Sequence, residues 1–478
     1  MKEQGNKQHL FWRAGFGASP HQLREAEHQS TRKVVRALFN DSRDFAPLTV
    51  ADDDQPAKKE LRGLFKEGKL DRATLKDRIR ENRESIRDLN VRWMQQMASG
   101  RGALREKMAL FWHSHFACRN QNNVRMVQQY LNVIREHALG HFGDLLMAIS
   151  KSPAMLQFLN NQQNRKNAPN ENFAREVMEL FTLGRANYTE HDIKEAARAF
   201  TGWGFNPQGE FVFRRNLHDE GEKTVFGKTG AFQGEDIIRL LLERKETATF
   251  VTSKLYRFLV TDEIAENSPD HQRIAHLADQ FYRSNYDMAG LLETIFTSDW
   301  FYDPKYAGAR IKSPVELLAG MQHSLGIQFE QKQPVLYVQR TLGQVLLYPP
   351  NVAGWPGGRN WIDSSSLLFR MKLPELILKA GEVTVRPKDD GDVNTELLAR
   401  KVNRLFASQV DWTAFEKPFQ NGTDDHLVDE LARYFLPYPL TDPQRNLVVS
   451  KVKKDTARSE QIRNLTTAIL SLPEYQLC

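Results

Sequence analysis

The stretch NENFAREVMELFTLG at 170–184 constrains the fold more than any other, because it divides into two faces at helical spacing. At 100° per residue, Phe173, Ala174, Val177, Met178, Leu180 and Phe181 share a broad apolar face, and Asn172, Arg175, Glu176 and Glu179 share the other. Asn170 after Pro169 predicts an N-cap, and Gly184 predicts a left-handed stop. The apolar face must pack inward, so the polar face decides what the segment does. On a solvated face, Arg175 and Glu179 would form only a weak i,i+4 pair. This face, however, lacks lysine and sets two acids a turn apart, beside an amide and an arginine. Neighbouring carboxylates of that kind can hold a proton, a metal or a hydroxyl-rich ligand.

The same helical period runs through most of the 478 residues. A chain this long exceeds the usual single core. Three regions are expected: N-terminal helices with a charged helical arm over 1–100, a central helical body over 101–380, and a C-terminal helical region over 381–478 packed on that body. Ser19-Pro20 opens a helix predicted to run to about 39. The charged run 58–98 reads as one or two long helices parted near Gly68, and amphipathic helices follow over 104–116, 124–139 and 142–150. Between 201 and 226 the period changes. Trp203-Gly204-Phe205, the turn Asn206-Pro207-Gln208-Gly209 and Phe211-Val212-Phe213 predict a small β-hairpin. The expected fold is therefore mainly α, a large multi-helix body with one small hairpin.

Charge narrows the choice of partner. A net charge of +6 is small for this length, and the basic surplus at 58–92 and 451–463 is interleaved with acids. That pattern predicts solvated helix faces and no nucleic-acid groove. No stretch is long and apolar enough for a transmembrane segment. The polar start MKEQGNKQ has no apolar signal region, which predicts a cytoplasmic protein, or an exported one if a leader is missing. Cys118 and Cys478 are the only cysteines and supply neither a disulfide framework nor a zinc site.

Several further stretches carry candidate chemistry. His113 and His115 point about 200° apart if the helix persists, so they cannot chelate one ion, and His115 falls on the buried face; they could share a metal only if the helix ends before 113. His218-Asp219-Glu220-Gly221-Glu222-Lys223-Thr224 is a dense polar turn that would present His218 and Asp219 as acid–base groups, with Lys223 nearby. Gly227-Lys228-Thr229 lacks the earlier glycine of a phosphate loop, since position 222 is Glu. The loop 351–361 carries Trp355, Trp361, three glycines and Arg359, and aromatic planes on such a loop can stack a sugar ring or a base. Pro314 opens a helix after Arg310 and Lys312, so its N-terminus could meet an anion.

The central stretch resembles the signature of the bacterial domain-of-unknown-function family 1800. The resemblance extends through HLFWRAGFGAS at 9–19, LREKMALFWHSHFA at 104–117, REHALGHFGDLL at 135–146 and YTEHDIKEAARAFTGW at 188–203. It continues through HDEGEKTVFG at 218–227, IKSPVELL at 311–318 and NVAGWPGGRNWI at 351–362. The family brings no activity with it. Many of its members look exported, a pattern from which the polar N-terminus departs.

Two classes of function follow from these residues. In one, the helix at 172–179, the turn at 218–223 and the tryptophan loop converge on a pocket for a polar small molecule, glycan-like or phosphorylated. Glu176, Glu179, His218 and Asp219 would then carry hydrolysis or group transfer, and Asn172, Arg175, Lys223, Trp355 and Arg359 would bind the substrate. A divalent metal is one cation that could compensate the two glutamates. In the other class, the same groups form a structural network in a binding or scaffold protein.

Overall fold

The computed structural model describes residues 2–51, 68, 71–119, 123–379, 405–421, 424–452 and 456–478. Twenty-one α-helices lie among them, with three two-stranded antiparallel pairings. The fold is mainly α. The expected hairpin is present, with Trp203 opposite Phe213 and Phe205 opposite Phe211. A second hairpin pairs Lys223–Val225 with Lys228–Gly230, and Gln328–Phe329 pairs with Ser408–Gln409, so strand content reaches beyond 201–226.

Local chemistry explains where elements begin. The helix expected to run from Pro20 to about 39 divides into Pro20–Glu27 and Thr31–Asp41. Ser30 provides the second start, its hydroxyl accepting the Lys33 N–H at 3.4 Å. The charged arm is described as one helix, Arg72–Ser99, with residues 58–67 outside the described set. Asp71 caps it by accepting from the N–H groups of Ala73 and Thr74, and Gly100 ends it at φ 73°.

Two helices sit at the centre and are buried nearly all round: Ala103–His115 and Pro314–Leu325. A helix so enclosed cannot leave its charged residues to water. Glu106 accepts from Arg135 at 2.7 Å and from the Trp93 indole at 2.9 Å, and Lys107 donates to Glu316 and to the Trp12 carbonyl. Buried apolar residues from Leu10 to Cys478 form one contiguous core. Both cysteines are free and buried. Among the described residues no helix is long and apolar enough to cross a membrane.

The 170–184 stretch is helical but not uniformly α. It starts at Asn172 with Glu171 at the cap position, one residue later than the cap predicted at Asn170, whose Oδ1 accepts the Asn172 N–H at 3.0 Å in a local turn. The helix is α over Asn172–Glu176 and π over Val177–Thr182. The Thr182 hydroxyl donates to the Val177 carbonyl at 2.7 Å, and the Leu183 N–H reaches back to Met178 at 2.8 Å. Phe173, Ala174, Val177, Met178 and Phe181 are buried, as the apolar face requires, while Leu180 is half-buried. Gly184 ends the segment at φ 73°.

Candidate functional site

A cleft of about 420 Å³ opens where the Ala103–His115 helix meets the Lys245–Leu259 helix, the start of Pro314–Leu325 and the tryptophan loop. Ser114 and His115 come from the first helix, and Lys254, Arg257 and Phe258 from one face of the second, at i, i+3 and i+4. Trp355, Arg359 and Trp361 form the loop side. The loop can lie so close because position 354 is glycine: a Cβ there would overlap the Ser114 carbonyl, and φ is 78°. Trp355 then rests against the His113 ring, centroids 5.4 Å apart. His113 anchors the chain leading into the loop, its Nε2 accepting the Leu347 N–H at 3.0 Å.

The electrostatics of the cleft are uneven. Glu316 is 1% exposed. Burial works against its charge, but Lys107 and Arg310 outweigh burial and hold its carboxyl well below the usual carboxylate range. Asp262 is displaced the other way. Burial raises its carboxyl above the ordinary value, against the pull of Arg310, whose Nε lies 3.6 Å away, and of the Ile311 N–H, which donates at 2.7 Å. At the mouth Arg359 pairs with Glu263 at 2.5 Å. Lys254 and Arg257 make no ion pair with any described carboxylate. Lys254 stands over the Phe250 ring, 5.3 Å from its centroid, and burial lowers its ammonium pKa to about 8.

His115 is buried at 2% exposure, as its helical position predicts. Its Nε2 lies 3.0 Å from the Phe181 carbonyl. A carbonyl only accepts, so Nε2 carries the proton and Nδ1 is a bare lone pair with no hydrogen-bond partner among the described residues. Burial, then the nearby Lys254, keeps the ring well below the ordinary histidine pKa. The adjacent His113 has the opposite tautomer, because its Nε2 accepts from a backbone N–H. The two rings therefore face separate partners, and among the described residues no group of three or more His, Cys, Asp or Glu is arranged to hold a metal ion.

The other sequence candidates lie on separate supports. Arg175 clamps Glu190 through both Nη atoms at 2.8 Å and reaches Glu171. Glu179 accepts from Tyr188 Oη at 2.5 Å and Arg185 Nε at 2.8 Å, which together lower its pKa. Glu176, half-buried, makes no hydrogen bond among the described residues, and burial followed by the charge of Glu179 raises its pKa. Asn172 donates to the Leu159 carbonyl at 3.1 Å. In the turn, Asp219 pairs with Arg198 Nε at 2.7 Å, the arginine lowering its carboxyl pKa, and Lys223 donates to the carbonyls of Asp219 and Gly221. His218 Nδ1 donates to the Thr201 carbonyl at 2.9 Å.

These groups share a neighbour in the Glu190–Ala199 helix, which packs on both the 172–176 helix and the strand at 223. Glu190 begins that helix and Arg198 nearly ends it, so their partners Arg175 and Asp219 attach about 12 Å apart along the axis, at 1.5 Å per residue. Of the sequence candidates, Trp355 and Arg359 line the cleft. The anion expected at the start of Pro314–Leu325 is internal: Ser313 and Glu316 cap it reciprocally, and Val315 donates to Gln344. Sequence reasoning missed Asp262 and Lys254. The available signal for Lys254 was a single lysine inside the apolar run FVTSKLYRFLV.

Residues 9–477 match the family described as Protein of unknown function (DUF1800). The chain belongs to this family. Nothing among the curated proteins or the solved structures matches it. Three stretches that carry the DUF1800 resemblance, at 104–117, 311–318 and 351–362, come together to line the cleft. A fourth, at 170–184, supports it from behind through Phe181 and His115.

Proposed function

We propose that the chain is an enzyme of hydrolase or transferase type that acts on a polar small molecule, glycan-like or phosphorylated, in the cleft under the tryptophan loop. The observation that carries this reading is the company Asp262 keeps. A carboxyl raised toward its neutral form shares one cleft with two tryptophans and with two cations, Lys254 and Arg257, that no described carboxylate neutralises. Asp262 is suited to general acid–base work, because its proton is held closer to the operating range than that of a free aspartate. Trp355 and Trp361 offer planes for a ring, Arg257 and Arg359 attract an anionic group, and Glu316 holds Arg310 in place beside Asp262.

A second reading treats the polar motif residues as a structural network in a non-catalytic protein. The saturation of Arg175, Glu179, Asp219 and Lys223 by their neighbours favours it for those four. A catalytic role on the motif helix would fall to Glu176, whose carboxylate makes no hydrogen bond among the described residues.

The test assays p-nitrophenyl phosphate and p-nitrophenyl glycosides for turnover, and sugar phosphates for a thermal shift, in wild type, Asp262→Asn and Glu176→Gln. Signals lost in Asp262→Asn with secondary structure retained support the cleft. Loss in Glu176→Gln alone moves the chemistry to the motif helix. No response to any of these compounds in wild type favours the network.

A further inference from the structure

We propose that Lys254 is the nucleophile of a carbonyl-capturing site, its amine forming an imine with an aldehyde or ketone that also carries a phosphate or carboxylate. This rests on the reading of the cleft as a ligand site, but not on any hydrolytic activity there.

Three observations meet at Lys254. Lys254 lines the cleft, is partly exposed, and has no carboxylate or hydrogen-bond partner among the described residues; its contact is with the Phe250 ring. A structural lysine in such a place would be expected to reach an acid or a carbonyl, as Lys107, Lys223 and Lys312 all do here. His115 lines the same cleft, and its Nε2–H is committed to Phe181, so the only free valence of the ring is the Nδ1 lone pair. Both side chains pack on Phe250, whose ring centroid lies 5.3 Å from Lys254 Nζ and 6.3 Å from the His115 centroid. An amine in apolar surroundings without a carboxylate partner is the arrangement that yields a nucleophilic lysine near neutral pH, and burial lowers this one to about 8. The groups facing it are His115 from its own wall, Arg257 on the same helix, Arg310 and Glu316 from the floor, and Asp262 with Glu263 from the turn.

The step balances without an added oxidant. The Lys254 ammonium gives a proton to water in the cleft, and the freed electron pair forms the C–N bond as the carbonyl pair moves onto oxygen. A proton passes from nitrogen to that oxygen, and hydronium returns a proton to the hydroxyl. Water then leaves, and the remaining nitrogen pair closes the C=N bond, giving a protonated imine. Arg257 and Arg359 at the mouth would hold the anionic group of the same ligand.

The full-length protein is incubated with pyridoxal 5′-phosphate, reduced with borohydride, and mapped by peptide mass spectrometry. The expected result is a dominant adduct on Lys254, forming about tenfold faster than on exposed Lys372, the larger neutral fraction being offset by lower intrinsic nucleophilicity. Lys254→Arg removes that adduct, and pyridoxal without the phosphate labels Lys254 more slowly. Adducts spread over exposed lysines, with Lys254 unlabelled in the wild type, would overturn the proposal whatever the variants do. Equal rates for pyridoxal and its phosphate would overturn the anionic part. If Lys254 stays unlabelled while sugar phosphates still shift the melting of wild type but not of Asp262→Asn, the imine fails and the cleft reading stands.

Discussion

His115 Nε2 and the Phe181 carbonyl oxygen lie 3.0 Å apart, and that contact joins the most distinctive stretch of the chain to the cleft under the tryptophan loop. The carbonyl is one of the acceptors that a helix leaves unpaired at its C-terminus. By taking it, the imidazole fixes its own tautomer, so the motif helix determines which nitrogen of His115 is available.

The first prediction concerns that helix. Val177 is fully buried, and Val177→Asp would bury a charge without a partner, at a cost of about 3–5 kcal/mol. Thr182→Val removes the hydroxyl that satisfies the Val177 carbonyl and should cost about 1–3 kcal/mol. Urea denaturation measures both. A loss under about 1 kcal/mol for Val177→Asp would mean the apolar face is assigned backwards.

The apolar face of this helix was readable because a 100° period separates Phe173, Val177 and Phe181 from Arg175 and Glu179, whatever surrounds them. The π turn was not, because its mark is a backbone bond from Leu183 back five residues to Met178, which leaves the apolar period of the side chains unchanged. The tryptophan loop announced Trp355 and Arg359 through glycines and aromatics that an ordinary connection does not need. Asp262 and Lys254 gave no comparable notice. Each is unremarkable in its own segment, and its environment is made by Arg310 or His115, distant in sequence and brought near only by packing.

The buried pair Lys107–Glu316 supplies the second prediction. Both side chains are about 1% exposed, and Glu316 also takes the Ser313 N–H at 2.8 Å. Glu316→Gln leaves Lys107 buried without a carboxylate and should cost about 3–5 kcal/mol, whereas Lys107→Met leaves Glu316 with Arg310, 3.3 Å away, and should cost less. The double variant should cost clearly less than the sum of the singles. Additive losses in a double-mutant cycle would show that the two groups are not coupled.

A third prediction follows from the histidines. Burial lowers His113 to about 3 and lowers His9, His115 and His323 from the ordinary 6.5. Below pH 6.5 the unfolded chain binds protons that the folded chain refuses, so stability falls as pH falls. Each fully buried ring contributes a slope approaching about 1.4 kcal/mol per pH unit once the pH is well below 6.5. Glu316, with a depressed pKa, loses its contribution only below the ordinary glutamate value of 4.5; above it the raised carboxyls of Asp262 and Glu176 oppose the four histidines, while Lys312, lowered by burial to about 7, adds to the fall near pH 7. The urea midpoint should drop steadily from pH 7 to pH 5. A flat profile there would contradict the assigned neutral states.

The last prediction separates the two glutamates of the motif helix. Glu179 is held by Tyr188 and Arg185, and Glu176 is half-buried without a hydrogen-bond partner among the described residues. Glu179→Gln weakens two charge-assisted bonds at a partly exposed site and should cost about 0.5–1.5 kcal/mol. Glu176→Gln removes a desolvated charge and its repulsion by Glu179, and should be neutral or stabilising by a few tenths of a kcal/mol. A carboxylate whose removal costs the fold nothing is poorly explained by packing, and such groups concentrate where a ligand supplies the missing partner. Stability by urea denaturation, read beside the ligand assays, gives the decision. If Glu176→Gln proves the more destabilising of the two, Glu176 is a structural residue and the motif helix serves the cleft only through Phe181 and His115.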